Sequence, residues 1–436
     1  MKKIASLVLA TLLATSLFAG CGSKEEASTS SSTQAAQSTK AAQDSTKTEA
    51  TGLQGKITYM THRSDMADTV IKDVANEFMT KNPDVEIEIE TYKDESSVKT
   101  RIAANEMPDI MIVPTQLGIT RNDYPTYFLD ISDLGFTKDN TYFYENGTST
   151  DGKLYALTCS INYSGIIYNR VAFKNAGIDK VPTTIDEFYA ACDKLKAKGI
   201  VPIATNFKDK WPLVSYVEAF PVDASAVKNY KNTLVTKDKY LDETPGGILD
   251  GLKILRTIAD KGYGEKDLMS TNWDGSKKDL AQGKVAMMYL GTWLPPQIVD
   301  NGAKMEDLGM FPFPGTKALT MSADRYYGVT NSSKSPEAAK AFLKYMWTEG
   351  NLLPRMGFIP PNKDFKSESP FMNEIVSLNL PIIEQEADSP DYQSVINKAE
   401  IDNFNLAQEY VTSKDLNSIV EKYNKKWSDA KKALGK

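Results

Sequence analysis

The chain carries a single histidine, His62, in the stretch Thr61-His62-Arg63-Ser64-Asp65. Nucleophilic hydrolysis needs a serine or cysteine beside a base, so any histidine-based triad would have to use this one residue. Nothing around it suggests such a triad, and neither a Gly-x-Ser-x-Gly elbow nor a Walker loop occurs in the chain. The 57 acidic residues make accidental carboxylate pairs common, so paired-carboxylate chemistry is neither indicated nor excluded. Cys-x-x-Cys and His-Glu-x-x-His spacings are absent, and no metal or other cofactor is expected. The chemistry these side chains can do is recognition. Imidazole, guanidinium and carboxylate side by side offer donors and acceptors to hydroxyl groups.

The elements that must position them read as α/β. Lys56-Ile-Thr-Tyr-Met60 is strand-like, and Met66, Val70, Val74 and Phe78 recur every four residues as a helix face that Asn82-Pro83 stops. Val85-Glu-Ile-Glu-Ile-Glu90 alternates strictly, which predicts a half-exposed edge strand. A polar helix around Ser96–Asn105 and a compact strand at Pro108–Val113 complete a β-α-β-α-β order, which implies a parallel sheet flanked by helices. Further strands are expected at Gly165–Tyr168, Val201–Ala204 and Lys284–Tyr289. Helices are expected from Thr184 or Asp186 to Lys198, after Ser335-Pro336-Glu337, and from Asp415 to Leu434. Trp347 and Trp427 fall on helical core faces, and Trp273 in Thr-Asn-Trp-Asp-Gly reads as a turn residue. Whether Cys159 and Cys192 pair is not readable.

Length and composition bound the rest. At 436 residues the chain is long enough for two lobes. A net charge of −6 disfavours nucleic acid as a partner. Lys2 and Lys3, the apolar run Ile4–Phe18 and the small residues before Cys21 have secretory-signal architecture, with residues 1–20 as the signal peptide. Phe18-Ala19-Gly20-Cys21 resembles the bacterial lipobox, which implies an acylated Cys21 and a membrane anchor. The Ser, Thr, Ala, Gln and Lys of residues 22–54 cannot repay ordering entropy and make a flexible leash. Residues 21–54 thus read as lipidated cysteine plus linker, on a chain exported across the cytoplasmic membrane and held at its outer face. No later apolar run reaches the ~18 residues of a membrane span.

Several motifs together resemble the family 1 extracellular solute-binding proteins, the sugar receptors of ABC importers that include maltose-binding protein. They are Tyr155-Ala-Leu-Thr, Gly165-Ile-Ile-Tyr-Asn169, Val181-Pro-Thr-Thr-Ile-Asp-Glu-Phe188, Gly283-Lys-Val-Ala-Met287, Gly291-Thr-Trp293, Tyr327-Gly-Val329, Ser335-Pro-Glu-Ala-Ala339 and Gly357-Phe-Ile-Pro360. The resemblance implies an α/β, two-lobe, type II periplasmic-binding-protein-like fold. Each lobe is then a mainly parallel sheet flanked by helices, and a hinge joins them. It implies lobes of residues 55–160 plus 325–372 and 161–324 plus 373–436. It implies a monomeric receptor, not an enzyme, that closes on a carbohydrate and passes it to transmembrane permease subunits.

Ligands of open α/β sheets sit beyond the carboxyl ends of strands, which points to His62, Arg63 and Asp65 after the first strand. By resemblance, Gln116 after the Pro108–Val113 strand and Asn162 and Tyr163 near the hinge are further contacts. Sugar rings have apolar C–H faces and hydroxyl edges, so a flat aromatic face with peripheral polar groups suits them. Trp293 before Pro295-Pro296, Trp211 before Pro212, Arg325 and Tyr326 before the Tyr-Gly-Val strand, and Phe358 complete the candidate set. Two other classes stay compatible with the residues: a secreted carbohydrate-active enzyme and a glycan-binding surface adhesin. The choice of sugar, and whether it is charged, is not legible; Arg63 and Arg325 leave an anionic sugar open.

Overall fold

The computed structural model describes residues 52–92, 95–366, 374–375 and 377–436. The expected signal peptide, Cys21 and nearly all of the linker lie outside the described residues. Among those described, no helix is long and apolar enough to cross a membrane.

Among the described residues, eleven strands form two sheets: β1 Gly55–Thr61, β2 Val85–Thr91, β3 Ile110–Ile112, β4 Leu157–Thr158, β5 Ile161–Asn169, β6 Val201–Ala204, β7 Val285–Gly291, β8 Leu308–Phe311, β9 Leu319–Ala323, β10 Tyr326–Val329 and β11 Ile382–Glu384. The first lobe holds the order β2-β1-β3-β10-β4, and the second holds β11-β9-β5-β7-β6 with β8 also on β5. The alternation of Val85–Glu90 does place β2 at a sheet edge, parallel to β1 over seven residue pairs. The regular helix after β1 is Lys72–Lys81, shorter than the periodicity predicts. Thr69, at φ −122° and ψ −109°, breaks the segment before it. Thr184 caps the Ile185–Ala197 helix through the Glu187 amide, with Glu187 answering back in a capping box.

The sheets are mixed rather than mainly parallel. β1 pairs in parallel with β2 and β3, but β10 runs antiparallel to β3 and β4. In the second lobe β5 is antiparallel to β7, β8 and β9, while β6–β7 and β9–β11 are parallel. The cause is the crossing between lobes. β4 and β5 run almost continuously from the first sheet into the second, and β9 and β10 run back beside them. Thr158 faces Tyr326 on one side of the crossing and Ile161 faces Ala323 on the other. Between these pairs the Cys159 N–H donates to the Arg325 carbonyl (2.8 Å), and the Asp324 N–H to the Ser160 carbonyl (2.9 Å). An antiparallel ribbon of a few residues is therefore the hinge.

The two lobes also touch beside this ribbon. Phe143, held at φ +58° and buried, belongs to a core cluster made otherwise mostly of second-lobe residues, Leu290, Leu294 and Met321 among them. Its N–H donates to Glu384 Oε1 (3.0 Å). Trp347 is buried in the first lobe with its indole N–H on the Thr158 carbonyl (2.8 Å). Trp427 is fully buried in the second, bonded to the Lys237 carbonyl (3.1 Å). Cys159 and Cys192 are both free thiols, each buried in a different core cluster.

Candidate binding site

β1 and β3 are parallel neighbours, so the loops after them emerge at the same edge of the first lobe. The loop after β1 brings His62, Arg63 and Asp65 together. Arg63 is 6% exposed, and its Nε and Nη2 donate to the two oxygens of Asp65 at 2.9 and 2.8 Å. Such a fork-on-carboxylate pair fixes both partners in one plane. The guanidinium lies 5.0 Å from the centroid of Phe358, which is buried beneath it. Phe358 thus supports Arg63 from below. Burial raises the Asp65 pKa, but the hydrogen bond and charge of Arg63 outweigh it, and the net shift is downward.

His62 is pinned by a residue the sequence did not single out. Tyr327 Oη lies 3.1 Å from His62 Nδ1 and 3.4 Å from Thr61 Oγ1. Burial, then the nearby Arg325 and Arg63 charges, depress the imidazole pKa to about 3. His62 is therefore neutral at physiological pH, and when Tyr327 donates to Nδ1 the proton sits on Nε2. Beneath it, Tyr59, Cys159, Trp347 and Phe358 help to line a pocket of about 10 Å³, room for about one water molecule. Arg325 is half-buried, with Nη1 3.5 Å from Tyr92 Oη.

Tyr326 does not join this group. Neighbouring residues of a strand point to opposite faces, and Tyr327 takes the face toward His62. Gln116 occupies the middle of the one-turn helix Thr115–Leu117 after β3. Asn162 and Tyr163 lie on β5 and are 8% and 7% exposed. Tyr163 packs in the second-lobe core with its hydroxyl 3.5 Å from Met321 Sδ, and burial pushes its pKa up to about 12. It is a core residue, because β5 is covered on both faces there.

The second lobe contributes tryptophans. Trp211 follows β6, Trp293 follows β7, and Trp273 opens the helix Trp273–Ala281. Trp211 meets Trp273 edge-on at 4.8 Å, Trp211 meets Trp293 at 5.8 Å, and Trp273 meets Trp293 at 6.0 Å. All three are half-buried. Gly291 makes room for the cluster, since a Cβ there would lie 2.6 Å from Trp293 Nε1. Trp273 is not a turn residue. Asn272 caps its helix by accepting from the Gly275 N–H (3.0 Å), and turn and N-cap signatures use the same residue types.

The two walls meet. Trp293 packs against core clusters of both lobes. Gly357 comes so close to Pro296 that a Cβ would sit 2.6 Å from its Cγ. Lys277, whose Nζ lies 5.1 Å from the Trp273 ring centroid, exerts its charge on Asp65 of the opposite lobe. Polar loop and aromatic cluster therefore border one inter-lobe surface.

The family model for bacterial extracellular solute-binding proteins matches residues 63–351, more than half of the chain. The chain belongs to that family. This solute-binding protein is 28% identical over 307 residues to the multiple sugar-binding protein of Streptococcus mutans serotype c, covering 67% of this chain and 71% of the relative. A binding protein of an ABC transporter from Bifidobacterium animalis subsp. lactis, solved with mannobiose, superimposes with a TM-score of 0.78 at 25% identity, covering 87% and 95% of the two chains. A sugar transporter from Bacillus licheniformis, solved with stachyose, shares the fold at a TM-score of 0.66 and 17% identity, covering 86% and 100%.

Proposed function

We propose that this solute-binding protein is the lipid-anchored, extracytoplasmic carbohydrate receptor of an ABC importer. It takes an oligosaccharide between lobes of residues 55–160 plus 325–372 and 161–324 plus 373–436, and delivers it unchanged to a membrane permease. The observation that carries the reading is the cluster of Trp211, Trp273 and Trp293 bordering the same surface as His62, Arg63 and Asp65. Sugar C–H faces stack on the rings while hydroxyls bond to the polar loop. The relatives solved with mannobiose and stachyose support the same ligand class.

Closure follows from where the contacts lie. A ligand that bonds one lobe alone shifts no equilibrium, whereas one that bonds both favours the closed state by the second set of contacts. Among the described residues, the ribbon at Cys159–Ile161 and Ala323–Arg325 is where closure would change dihedrals. A micromolar receptor needs about 8 kcal/mol net, which a few stacked rings and paired hydroxyls supply. An acylated Cys21 and the leash to residue 54 would keep the receptor near its permease, with a mean reach of roughly 30 Å.

A thermal-shift screen against neutral and acidic oligosaccharides tests this, followed by calorimetry and mass spectrometry of the recovered ligand. Raised melting temperature with an intact glycan is the expected result. Shortened glycan would identify an enzyme, and intact uptake of the ligand by a deletion strain would identify an adhesin.

A further inference from the structure

We propose that Tyr327 is a positioning residue of the polar loop: it holds His62 in the tautomer protonated at Nε2, so that the imidazole meets the carbohydrate as a hydrogen-bond donor and not as an acceptor. The inference rests on the carbohydrate reading above and sharpens it.

The fold fixes Tyr327 before any ligand arrives. It lies on β10, with β3 between that strand and β1, so its side chain reaches across β3 to the loop that carries His62. Its ring is buried and packs against Tyr59 and Trp347, with centroids 5.8 and 5.9 Å away. The hydroxyl then meets His62 Nδ1 at 3.1 Å and Thr61 Oγ1 at 3.4 Å, while Thr61 Oγ1 accepts from the Arg63 N–H at 3.2 Å.

Two orders of donation fit these distances, and they differ in what they leave over. If His62 Nδ1–H donates to Tyr327, the hydroxyl hydrogens of Tyr327 and Thr61 have only each other's oxygens to use. One of them is then left with no acceptor in bonding geometry among the described residues; the Tyr59 hydroxyl, which senses both groups, lies outside it. Thr61 and Tyr327 are buried, so the stranded hydrogen would forfeit a bond that bulk water does not replace. In the reverse order Thr61 donates to Tyr327, Tyr327 donates to Nδ1, and every hydrogen is placed. That order also matches the stronger donor, a phenol, with the stronger acceptor, an imidazole nitrogen.

The bond made by one nitrogen of a neutral imidazole sets which nitrogen keeps the proton. Tyr327 on Nδ1 leaves Nε2 as N–H. Nε2 has no partner among the described residues and is not one of the buried orphan atoms, and His62 is only part-buried, so this edge is open to a ligand. The charged groups that face the ring are Arg325, Arg63 and Asp65; burial and the two arginines outweigh Asp65 and keep the ring uncharged. His62 thus offers one donor, suited to the ring and glycosidic oxygens of a sugar, which only accept, as well as to its hydroxyls.

Because the chain has one histidine, its two imidazole nitrogens can be read without assignment. Long-range proton–nitrogen correlation spectra of the untagged, isotope-labelled chain are recorded at pH 8, where even a solvated imidazole is neutral. They are expected to show a protonated Nε2 and an unprotonated Nδ1, and Tyr327→Phe should let both tautomers appear. In calorimetry with a glycan that raises the melting temperature, Tyr327→Phe should lose about fivefold in affinity, the size of one hydrogen bond. It should lose nothing further in a chain that already carries His62→Ala, whereas a residue that only packs would weaken binding equally in both backgrounds. Melting curves confirm the folds, and if the Tyr327→Phe variant does not melt cooperatively the wild-type spectrum carries the test. A proton on Nδ1 of the wild type, unchanged affinity in a folded Tyr327→Phe variant, or additive losses overturns the inference and leaves the carbohydrate reading standing. A wild type that binds no glycan removes both.

Discussion

The loop after β1 and the tryptophan cluster of the second lobe are built by opposite means. In the first, polar groups hold one another: Asp65 fixes Arg63, Tyr327 fixes His62, and Phe358 serves as a floor. In the second, apolar rings hold one another, and the missing side chain of Gly291 lets the Trp293 ring approach the backbone closely. Hydrogen-bonded charge pairs lose stability when one member goes, because the other is left unmatched. Rings at a half-exposed surface lose contact area with less effect on the fold. The comparison teaches that affinity and stability should be coupled in the first lobe and separable in the second.

The sharpest way to break it is to remove rings. Trp211→Ala with Trp293→Ala should weaken binding by about a hundredfold, or ~2.7 kcal/mol, if each stacked face contributes about 1.4 kcal/mol. Trp293→Ala alone should cost at least tenfold. The melting temperature without ligand should fall by less than the loss of two fully buried tryptophans would bring, because the rings are only partly buried against the core. Calorimetry with parallel melting curves checks both; an unchanged affinity would take the cluster out of the site.

The second lobe has its own stability weak point away from the rings. Asp223 is 2% exposed, and burial lifts its carboxyl pKa from 3.8 to about 7, partly opposed by its hydrogen bond from the Thr320 N–H (3.1 Å). The hydroxyls of Tyr289 and Thr320 nearby are buried without partners among the described residues. The folded state binds this proton more tightly than the unfolded chain. Its contribution is thus full below about pH 4 and is lost as pH rises to about 7. Asp223→Asn should therefore stabilise the protein at pH 8 by about 2 kcal/mol and leave sugar affinity unchanged, as chemical unfolding at pH 5 and 8 would show.

Arg63→Ala should move both quantities together, by about tenfold in affinity and a few degrees in melting temperature. It strips the cover from Phe358 and leaves Asp65 without its fork. Arg63→Lys keeps the charge but not the two parallel bonds, and should fall between. A variant that lost affinity with no change in melting would contradict the coupling.

How much of this was legible depended on how local each signal was. The edge position of β2 follows from alternation within six residues, and the Thr184 cap from residues three apart. The hinge ribbon joins residues more than 160 positions apart, so its antiparallel sense, and hence the mixed sheets, left no local trace. Tyr326 and Tyr327 differ by one step on a strand, where a single step reverses the face, so sequence pattern alone does not tell which of them meets His62. Trp273 is not legible as part of the cluster because its partner, Trp211, becomes a neighbour only after folding. A capping asparagine at Asn272 was the one available sign that Trp273 begins a helix.

The smallest expected effect is the most discriminating one for the first lobe. His62 titrates in the opposite sense to Asp223, since burial and the Arg325 and Arg63 charges lower its pKa from 6.5 to about 3. The unfolded chain then binds the proton more tightly. His62 costs nothing above pH 6.5 and destabilises progressively as pH falls toward 3. His62→Gln, which keeps a hydrogen bond available to Tyr327, should raise the melting temperature slightly at pH 5 and leave it unchanged at pH 8. Because the imidazole is already neutral throughout pH 5 to 8, sugar affinity of the wild type should stay flat across that range by calorimetry. An affinity that followed a titration near pH 6.5 would mean that the imidazole is solvated rather than clamped between Tyr327 and two arginines. The polar wall would then be as loosely held as the aromatic one, and the contrast between the lobes would vanish.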